Sequence, residues 1–473
     1  MINFKNSYTS LPPKFFERIS PEKFQDPRLI IFNNKLAKNL KIDTKNYDDN
    51  DLAQVFSGQK VLEGSDPIAM AYAGFQFGHP VEQLGDGRAH LLGEAENFDI
   101  QLKGSGRTRF SRRGDGRSAL GPVLREYLLS EAMHVYGVPT TRALAAVTTG
   151  ESVYRQDGPE PGGVLTRVAD SHIRVGTFQY FSFQGDLDSL ELLLDYTLNR
   201  HFPDVLGYMT LKEKSLELLK RVSILQAQLI AKWSSLGFIH GVMNTDNCSP
   251  GGITIDYGPC AFMDEFRFHK VFSSIDRLKR YSFFNQLPIA QWNVLRLADC
   301  FIPFIDDHVE TAASIVNKEL TPYFEKFADL RTDAFARKLG LNFYQQGDEE
   351  IVTNFLEYLE NHSLDFTQSF RNLEALYNGD DEGYPQSEPR KKFLTKWKAR
   401  NPDFEGLNLE NPYIIPRNHL VEKAIKEAYE GNYDFFIQFH EALSDPYSEN
   451  DTTRPFSAPP ALSERVYQTF CGT

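Results

Sequence analysis

The segment 240–258, HGVMNTDNCSPGGITIDYG, restricts the folds open to this chain more than any other stretch. It contains two hard oxygen donors, Asn247 and Asp256, around the run ITID at 253–256, which we predict to be a short strand. Such donors suit Mg²⁺ or Mn²⁺ held through one or two protein groups together with substrate phosphates. A further carboxylate, Asp246, directly precedes the asparagine. The segment therefore predicts a site for a metal-bound polyphosphate.

The spacing of these residues resembles the catalytic centre of protein kinases, H-R-D-L-x-x-x-N followed by D-F-G. His240 and Asn247 keep the kinase spacing, and 256–258 reads D-Y-G. Val242 stands where kinases place their base, so Asp246 becomes the candidate base for an acceptor hydroxyl. The structural alternative for Asp246 is an Asx-type turn. We interpret His240 as a packed, hydrogen-bonded histidine.

A basic segment runs from Lys103 to Arg125 and contains one acid, Asp115, in a chain whose net charge is -13. Interleaved glycines allow backbone N–H groups and guanidinium groups to approach an anion closely. The segment favours a polyphosphate ligand, and the alternative is a solvated basic loop. The acidic total argues against general binding of nucleic acid, which depends on phosphate neutralisation. The basic residues are Lys103, Arg107, Arg109, Arg112, Arg113, Arg117 and Arg125.

Lys103 ends a predicted strand, FDIQLK, and Glu126 lies in the helix predicted from GPVLREYLLSEAMHVYG. Kinases pair a strand lysine with a helix glutamate to hold the ammonium group against the phosphates. We predict that Lys103 and Glu126 form this pair. The alternative partners of Glu126 are Arg125, Arg142 or solvent.

The order of predicted elements gives the fold class. Strands, a helix and further strands lead into a long helix over LKEKSLELLKRVSILQAQLIAKWSSLGF, then the 240–258 segment, and helices dominate beyond about 290. At 473 residues the chain exceeds the roughly 250–300 residues at which single cores stop growing. We predict an α+β, protein-kinase-like bilobal fold: an N-terminal extension over 1–64, an N-lobe over 65–175, a helical C-lobe over 176–330 and C-terminal helical additions over 331–473.

The compartment is predicted from what the sequence lacks. There is no run of about 18 apolar residues to cross a bilayer and no apolar core of a signal peptide near the amino terminus. The four cysteines form no C-x-x-C pair, so reduced thiols are expected. These observations favour a bacterial cytoplasmic protein without membrane insertion.

Five longer blocks together resemble the selenoprotein O family: QLGDGRAHLLGE, QLKGSGRTRFSRRGDGRSALGPVLREYLLSEAMH, GVPTTRALAAVTTGESVYR, VLTRVADSHIRVGTFQYF and HGVMNTDNCSPGGITIDYGP. The similarity is dense over about 65–290 and looser elsewhere. It implies a kinase-like protein adenylyltransferase that binds ATP in an inverted orientation and transfers AMP to Ser, Thr or Tyr hydroxyls of proteins, releasing pyrophosphate.

The resemblance also implies roles for individual residues. Asp246 is the implied base, Asn247 and Asp256 the implied ligands of Mg²⁺ or Mn²⁺, and Glu126 the partner of the strand lysine. The implied nucleotide contacts are Gly85, Gly87, Arg88, Lys103, Asp115, Gly116, Arg167, Arg174 and Asp256.

Three alternatives stay open: uridylyl transfer from UTP, a conventional protein kinase, and a catalytically inactive nucleotide-binding scaffold. Val242 disfavours the kinase, and the full metal set disfavours the scaffold. Some relatives carry a cysteine near 265–283 that could pair with a terminal one. This chain has none there, so Cys471 is expected to be either a reactive thiol or an inert tail residue.

Overall fold

The computed structural model describes residues 1–155, 158–205, 207, 209–380 and 382–470, so the prediction for Cys471 lies outside the described residues. The strands are β1 Phe16–Arg18, β2 Arg28–Phe32, β3 Ile68–Met70, β4 Gly74–Gln76, β5 His79–Val81, β6 Ala89–Ala95, β7 Phe98–Lys103, β8 Ser118–Ala119, β9 Arg142–Arg155, β10 Gly158–Ala169, β11 Phe238–Ile239 and β12 Ala261–Phe262.

Helices occupy most of the second half of the chain. They are α1 Asn34–Asn39, α2 Asp49–Phe56, α3 Leu120–Val135, α4 Val175–Phe183, α5 Leu187–His201, α6 Leu211–Ser235, α7 Gln286–Ile305, α8 Val309–Lys338, α9 Asp348–His362, α10 Phe366–Arg371, α11 Leu373–Asn378, α12 Glu388–Ala399, α13 Phe404–Glu410, α14 Asn418–Tyr429 and α15 Asp434–Ala442. The predicted mixture of sheet and helical regions is confirmed.

The main sheet has the order β1-β3-β6-β7-β10-β9-β2, and β8 pairs with β10. Its paired strands are antiparallel. Both end strands, β1 and β2, come from the first 32 residues of the chain. The segment 1–64 therefore contributes both end strands of the main sheet.

The register of β7 against β10 sets up the cavity described below. Gln101 pairs with Arg167, and Lys103 lies two residues further along the same face of β7. Since side chains alternate across a strand, Lys103 and Arg167 share one face of the sheet. Ile100 and Leu102 point to the other face, where they pack with residues of α1 and α2.

Helix α3 forms where the sequence predicts it, with Pro122 in its first turn and Gly137 (φ 70°) after its end. It packs against β9 and β10. The C-terminal helix α14 packs on the far side of α3, and Arg125 donates a hydrogen bond to Asn418 Oδ1 at 3.1 Å. The C-terminal region therefore helps to fix the helix that carries Glu126.

The helical region centres on α6, which packs against α7 and α8 and ends just before β11 and the 240–258 segment. Among the described residues, no helix has both the length and the apolar character needed to cross a membrane.

The prediction of a strand over 253–256 is wrong. Only Thr254 forms an isolated bridge, to Thr140. Its backbone N–H donates to the Pro139 carbonyl at 2.9 Å, and its hydroxyl accepts from Trp233 Nε1 at 2.9 Å. Loop and side-chain partners satisfy this run, so no strand neighbour is required.

Candidate active site

A cavity of about 780 Å³ lies between the sheet and the 240–258 segment. All but one of the predicted site residues line it: Gly85, Gly87, Arg88, Lys103, Asp115, Gly116, Arg167, Arg174, Asp246, Asn247 and Asp256. The exception is Glu126, which is 2% exposed and lies behind Lys103.

The cavity wall is basic although the chain is acidic. Eight basic side chains line it, namely Arg88, Lys103, Arg112, Arg113, Arg117, Arg155, Arg167 and Arg174, against four acidic ones, Asp86, Asp115, Asp246 and Asp256. With a net charge of -13 for the whole chain, this local excess favours an anionic ligand.

Asp256 is at the centre of a buried ion cluster. Lys103 Nζ donates to Asp256 Oδ1 at 2.7 Å and to Glu126 Oε2 at 2.7 Å. Arg167 donates to the same two carboxylates, and Arg174 Nη1 lies 3.3 Å from Asp256 Oδ2. The predicted Lys103–Glu126 ion pair is therefore present, while the alternative partner Arg142 binds Glu131.

The cations of this cluster outweigh the effect of burial. Burial alone would raise the pKa of Asp256, but Arg167, Lys103 and Arg174 lower it well below its usual range. Burial likewise opposes ionisation of Glu126, and Arg167 and Lys103 lower its pKa. Asp256 has a left-handed backbone (φ 67°), which is uncommon for a residue with a side chain and typical of functional sites.

Asp246 lies in a 3-10 turn, Thr245–Asn247, and its surroundings are different. Burial raises the pKa of Asp246 to about 6, and Arg174 only partly offsets this. Its Oδ1 atom is buried and has no hydrogen-bond partner among the described residues. A carboxyl group in this state is suited to accept a proton.

A hairpin formed by β4 and β5 covers this turn. The backbone N–H of Phe75 donates to Thr245 Oγ1 at 2.7 Å, and that of Phe77 donates to Asn244 Oδ1 at 3.0 Å. A Cβ atom at Gly74 would lie 2.6 Å from Asp246 Oδ1. The hairpin can pack against Asp246 only because position 74 has no side chain.

One hydrogen bond orients the amide group of Asn247. Its Nδ2 donates to the Val242 carbonyl at 3.1 Å, which leaves Oδ1 free to bind a cation. Among the described residues, no group of three His, Cys, Asp or Glu could hold a metal. One amide oxygen and the Asp256 carboxylate, which is 27% exposed, instead fit a magnesium-type ion that takes its other ligands from phosphates and water.

Two glycine positions show why the loops around the cavity are glycine-rich. Gly85 has φ 77°, and a Cβ there would lie 2.2 Å from the Phe110 ring. Gly116 has φ 71°, and a Cβ there would lie 2.3 Å from the Gly106 backbone. Next to Gly116, Asp115 binds Arg155 at 2.8 Å, which fixes the outer wall.

The basic segment is only partly a ligand surface. Arg125 is buried, and it binds the Cys260 carbonyl and Asn418. Arg107 donates to the Gly114 carbonyl at 3.0 Å, and Arg109 lies over the Phe110 ring at 4.6 Å. Neither these two nor Arg125 lines the cavity, which corrects the prediction for three of the seven basic residues.

His240 has the predicted structural role. It is 1% exposed, stacks on Trp233 with ring centroids 5.3 Å apart, and its Nε2 lies 2.9 Å from the Ile255 carbonyl oxygen. Its contacts hold the loop that connects the two aspartates.

Sequence reasoning missed several lining residues, among them Tyr72, Gln76 and Asp86. Arg174 lies over the Tyr72 ring at 4.7 Å, and the buried Asp86 carboxylate accepts from the Met70 backbone N–H at 3.1 Å. Asp86 stands between the two glycines assigned to the nucleotide. The sequence FG at 77–78, a two-residue turn, was the available signal for the hairpin that carries Gln76.

Comparison with known proteins places the chain in a family. The family model described as protein adenylyltransferase SelO matches residues 1–444. The chain belongs to the SelO family. Protein nucleotidyltransferase YdiU of Agrobacterium fabrum (strain C58 / ATCC 33970) is 46% identical over 492 residues, covering 100% of both chains. Those of Nitrosococcus oceani and Geobacillus kaustophilus are each 45% identical, covering 100% and 99% of this chain and 97% and 99% of their own.

Membership of the SelO family makes the chain a nucleotidyltransferase enzyme, as the sequence predicts. Its reaction class is nucleotidyl transfer to protein.

Proposed function

We propose that this enzyme transfers AMP from ATP to Ser, Thr or Tyr hydroxyls of proteins, with Asp246 as the base. The main support for this proposal is the difference between the surroundings of the two aspartates. Asp256 is ionised and surrounded by cations, whereas Asp246 is buried and has an unpaired oxygen. One is suited to a metal and phosphates, the other to a proton.

The charge distribution supports a polyphosphate ligand, and in the proposed function the nucleotide binds in the inverted orientation. In this arrangement Lys103, Arg167 and Arg174 receive the β- and γ-phosphates, and the α-phosphate lies towards Asp246. Glycines 85, 87 and 116 and the side chains of Arg88 and Asp115 complete the nucleotide contacts. The wall in this part of the cavity has the positive charge that a polyphosphate requires.

In the proposed transfer step, one phosphorus–oxygen bond forms and one breaks. The acceptor hydroxyl oxygen attacks the α-phosphorus, and its proton passes to the Asp246 carboxylate. The bond between the α-phosphorus and the oxygen bridging to the β-phosphorus breaks, and pyrophosphate leaves with the bonding electron pair. General-base assistance of this type contributes roughly 10²- to 10⁴-fold.

Asn247 and Asp256 would hold Mg²⁺ or Mn²⁺. When bound, the ion neutralises charge that develops on the phosphate oxygens. Glu126 holds Lys103 and Arg167 in place from behind the cavity wall.

The fold in this proposal is a kinase-like one, with the cavity between a sheet lobe and a helical lobe. The Lys103–Glu126 pair on β7 and α3 supports it, because kinases use the same strand–helix pair. The division at 64, 175 and 330 is part of the proposal.

The test uses ATP labelled at either the α- or the γ-phosphate, with Mg²⁺ or Mn²⁺ and a mixed protein acceptor. We expect label from the α-position only, and none with Asp256→Ala. A parallel reaction with α-labelled UTP measures the competing uridylyl transfer. Label from the γ-position alone would make the protein a kinase, and no label from either would favour the scaffold.

A further inference from the structure

An exposed apolar and basic surface borders the mouth of the cavity. We call it the mouth surface, and it consists of residues 273–280 with the tail residues 467–470. Ile275 lines the cavity and is 60% exposed, and Leu278 is 92% exposed. Tyr467 and Phe470 add two exposed aromatic rings to these aliphatic side chains. Single exposed apolar side chains are ordinary, but a cluster at a cavity mouth is typical of a binding site.

This surface has a defined conformation. Both carboxylate oxygens of the buried Asp276 accept backbone hydrogen bonds, from Arg280 at 2.9 Å and Tyr281 at 2.8 Å. Lys279 has a left-handed backbone (φ 54°) that completes the turn. These bonds fix the turn in a conformation that leaves the Leu278 side chain exposed to solvent.

The tail is joined to the same surface. Thr469 forms a β-bridge with Ser273, its N–H donates to the Phe272 carbonyl at 2.8 Å, and its carbonyl accepts from Ser274 at 3.1 Å. Its hydroxyl also donates to the carbonyl of Pro259, which lines the cavity. These bonds hold the tail around Thr469 against residues 272–274, which directly precede Ile275.

The charge of this surface is opposite to that of the chain as a whole. Arg277 and Lys279 are exposed, and neither forms an ion pair with a described residue. Lys270 lies over the Tyr467 ring at 5.9 Å and the Phe272 ring at 4.6 Å. The one acid of the turn, Asp276, is buried and occupied by backbone donors.

We propose that the mouth surface docks the acceptor protein through a segment that combines an acidic residue with a large apolar one near the modified hydroxyl. The proposal rests on the proposed function, because an acceptor hydroxyl must enter at the mouth to reach Asp246. Arg277 and Lys279 would attract the acidic residue, and Leu278 with Ile275 would cover the apolar one.

The test uses three synthetic peptides of equal length, each with one Ser and one Tyr. The first has Glu and Leu beside the hydroxyls, the second has Lys in place of Glu, and the third has Gln in place of Leu. We measure transfer of α-label from ATP to each peptide. The first peptide should be modified on the order of 10-fold faster than the second at low salt, with the difference reduced at high salt.

The variants assign this preference to the surface. Arg277→Glu combined with Lys279→Glu should reverse the preference between the first two peptides. Leu278→Ser should raise KM for the first peptide roughly 10-fold, with kcat and ATP affinity unchanged. Leu409→Ser and Lys426→Glu are matched controls, because both residues are exposed and neither belongs to the mouth surface. They should leave every value unchanged.

The possible results distinguish failure of the docking proposal from failure of the proposed function. Equal rates for the first two peptides, or a preference that survives charge reversal, would overturn the docking surface and leave nucleotidyl transfer intact. Absence of α-label from every peptide and every protein acceptor would overturn the proposed function itself. A concentration-dependent dimer, or binding to anionic lipid vesicles, that Leu278→Ser abolishes would assign the surface to a second copy or a membrane and would also overturn the proposal.

Discussion

Asp246 and Asp256 line one cavity, yet the regions that hold them differ in kind. The sheet side surrounds Asp256 with Lys103, Arg167 and Arg174, and the pKa of its carboxyl group falls well below the usual range. The turn and hairpin around Asp246 offer no cation to its Oδ1 atom, and burial raises its pKa to about 6.

Under the proposed function, this difference gives one residue type two roles. Burial acts in the same direction on both carboxyl groups, so the number of nearby cations decides the outcome. A metal-binding carboxylate needs to remain ionised, and a base needs affinity for a proton. The predictions below test whether the two regions are as independent as their geometry indicates.

The largest effect is expected for Asp256→Ala. Transfer should fall by at least about 10²- to 10³-fold, to background, because the metal and phosphates lose a ligand and an organising charge. Affinity for metal-free ATP should be retained or increased, since three cations lose their carboxylate partner. Labelled-ATP transfer and equilibrium binding with a chelator measure the two quantities. Wild-type turnover in this variant would refute the site assignment.

Asp246→Asn is the matched variant on the other side of the cavity. We expect a loss of roughly 10²- to 10⁴-fold in kcat, with ATP affinity and metal dependence close to wild type. Steady-state kinetics and nucleotide binding are compared with those of Asp256→Asn. If Asp246→Asn instead weakened ATP binding strongly, the residue would be structural and the comparison would fail.

Glu126→Ala tests the support behind the Asp256 region. Transfer should fall about 10- to 100-fold, as for other groups that orient a metal or phosphate ligand. Breaking this buried ion cluster should also cost about 3–5 kcal/mol in the free energy of unfolding. Glu131→Ala is the control, because Glu131 lies on the same helix as Glu126, forms a buried ion pair with Arg142 of β9 and does not line the cavity. It should lower stability and spare transfer.

The same cluster predicts a pH dependence of stability. The pKa of Glu126 is lowered in the folded state. Its ionised form therefore stabilises the fold when the pH is above the ordinary glutamate pKa of ~4.3. This contribution is lost as pH falls towards the lower folded value. The difference in Tm between wild type and Glu126→Gln should therefore stay constant from pH 7 to about pH 5 and shrink as the pH falls below ~4.3. A difference that does not change with pH would show that packing accounts for the effect.

The smallest effect is expected for Gly74→Ala. The added Cβ must displace the Asp246 carboxylate, so kcat should fall about 10-fold, less than the ~10²-fold that a 1 Å misplacement can cost. ATP affinity should remain unchanged because Gly74 does not line the cavity. If kcat and ATP affinity fell together, the hairpin would also support the Asp256 region.

The sequence predicts the parts of the site that depend on local pattern. The strand of Lys103, the helix of Glu126 and the spacing of Asn247 and Asp256 are all visible in periodicity and motif. Arg167 and Arg174 were found only through the family resemblance, because their roles depend on the antiparallel register of β7 and β10 and on the turn before α4.

Long-range pairing explains the remaining errors. The run 253–256 looks like a strand, yet its polar groups find loop partners that no local pattern reveals. Arg125 looks like a phosphate ligand, and it is instead buried by α14, nearly 300 residues away in sequence. The role of the hairpin over Asp246 depends on a glycine whose neighbour, Asp246 itself, is distant in the chain.

The placement of β1 and β2 has a consequence for synthesis on the ribosome. These strands are made first, but their neighbours in the sheet, β3 and β9, are complete only at residues 70 and 155. More than a hundred further residues must be made before β2 can pair with β9, and such non-local pairing folds slowly. During that interval β2 exposes unpaired edges, the state in which chaperones and wrong partners compete for a chain.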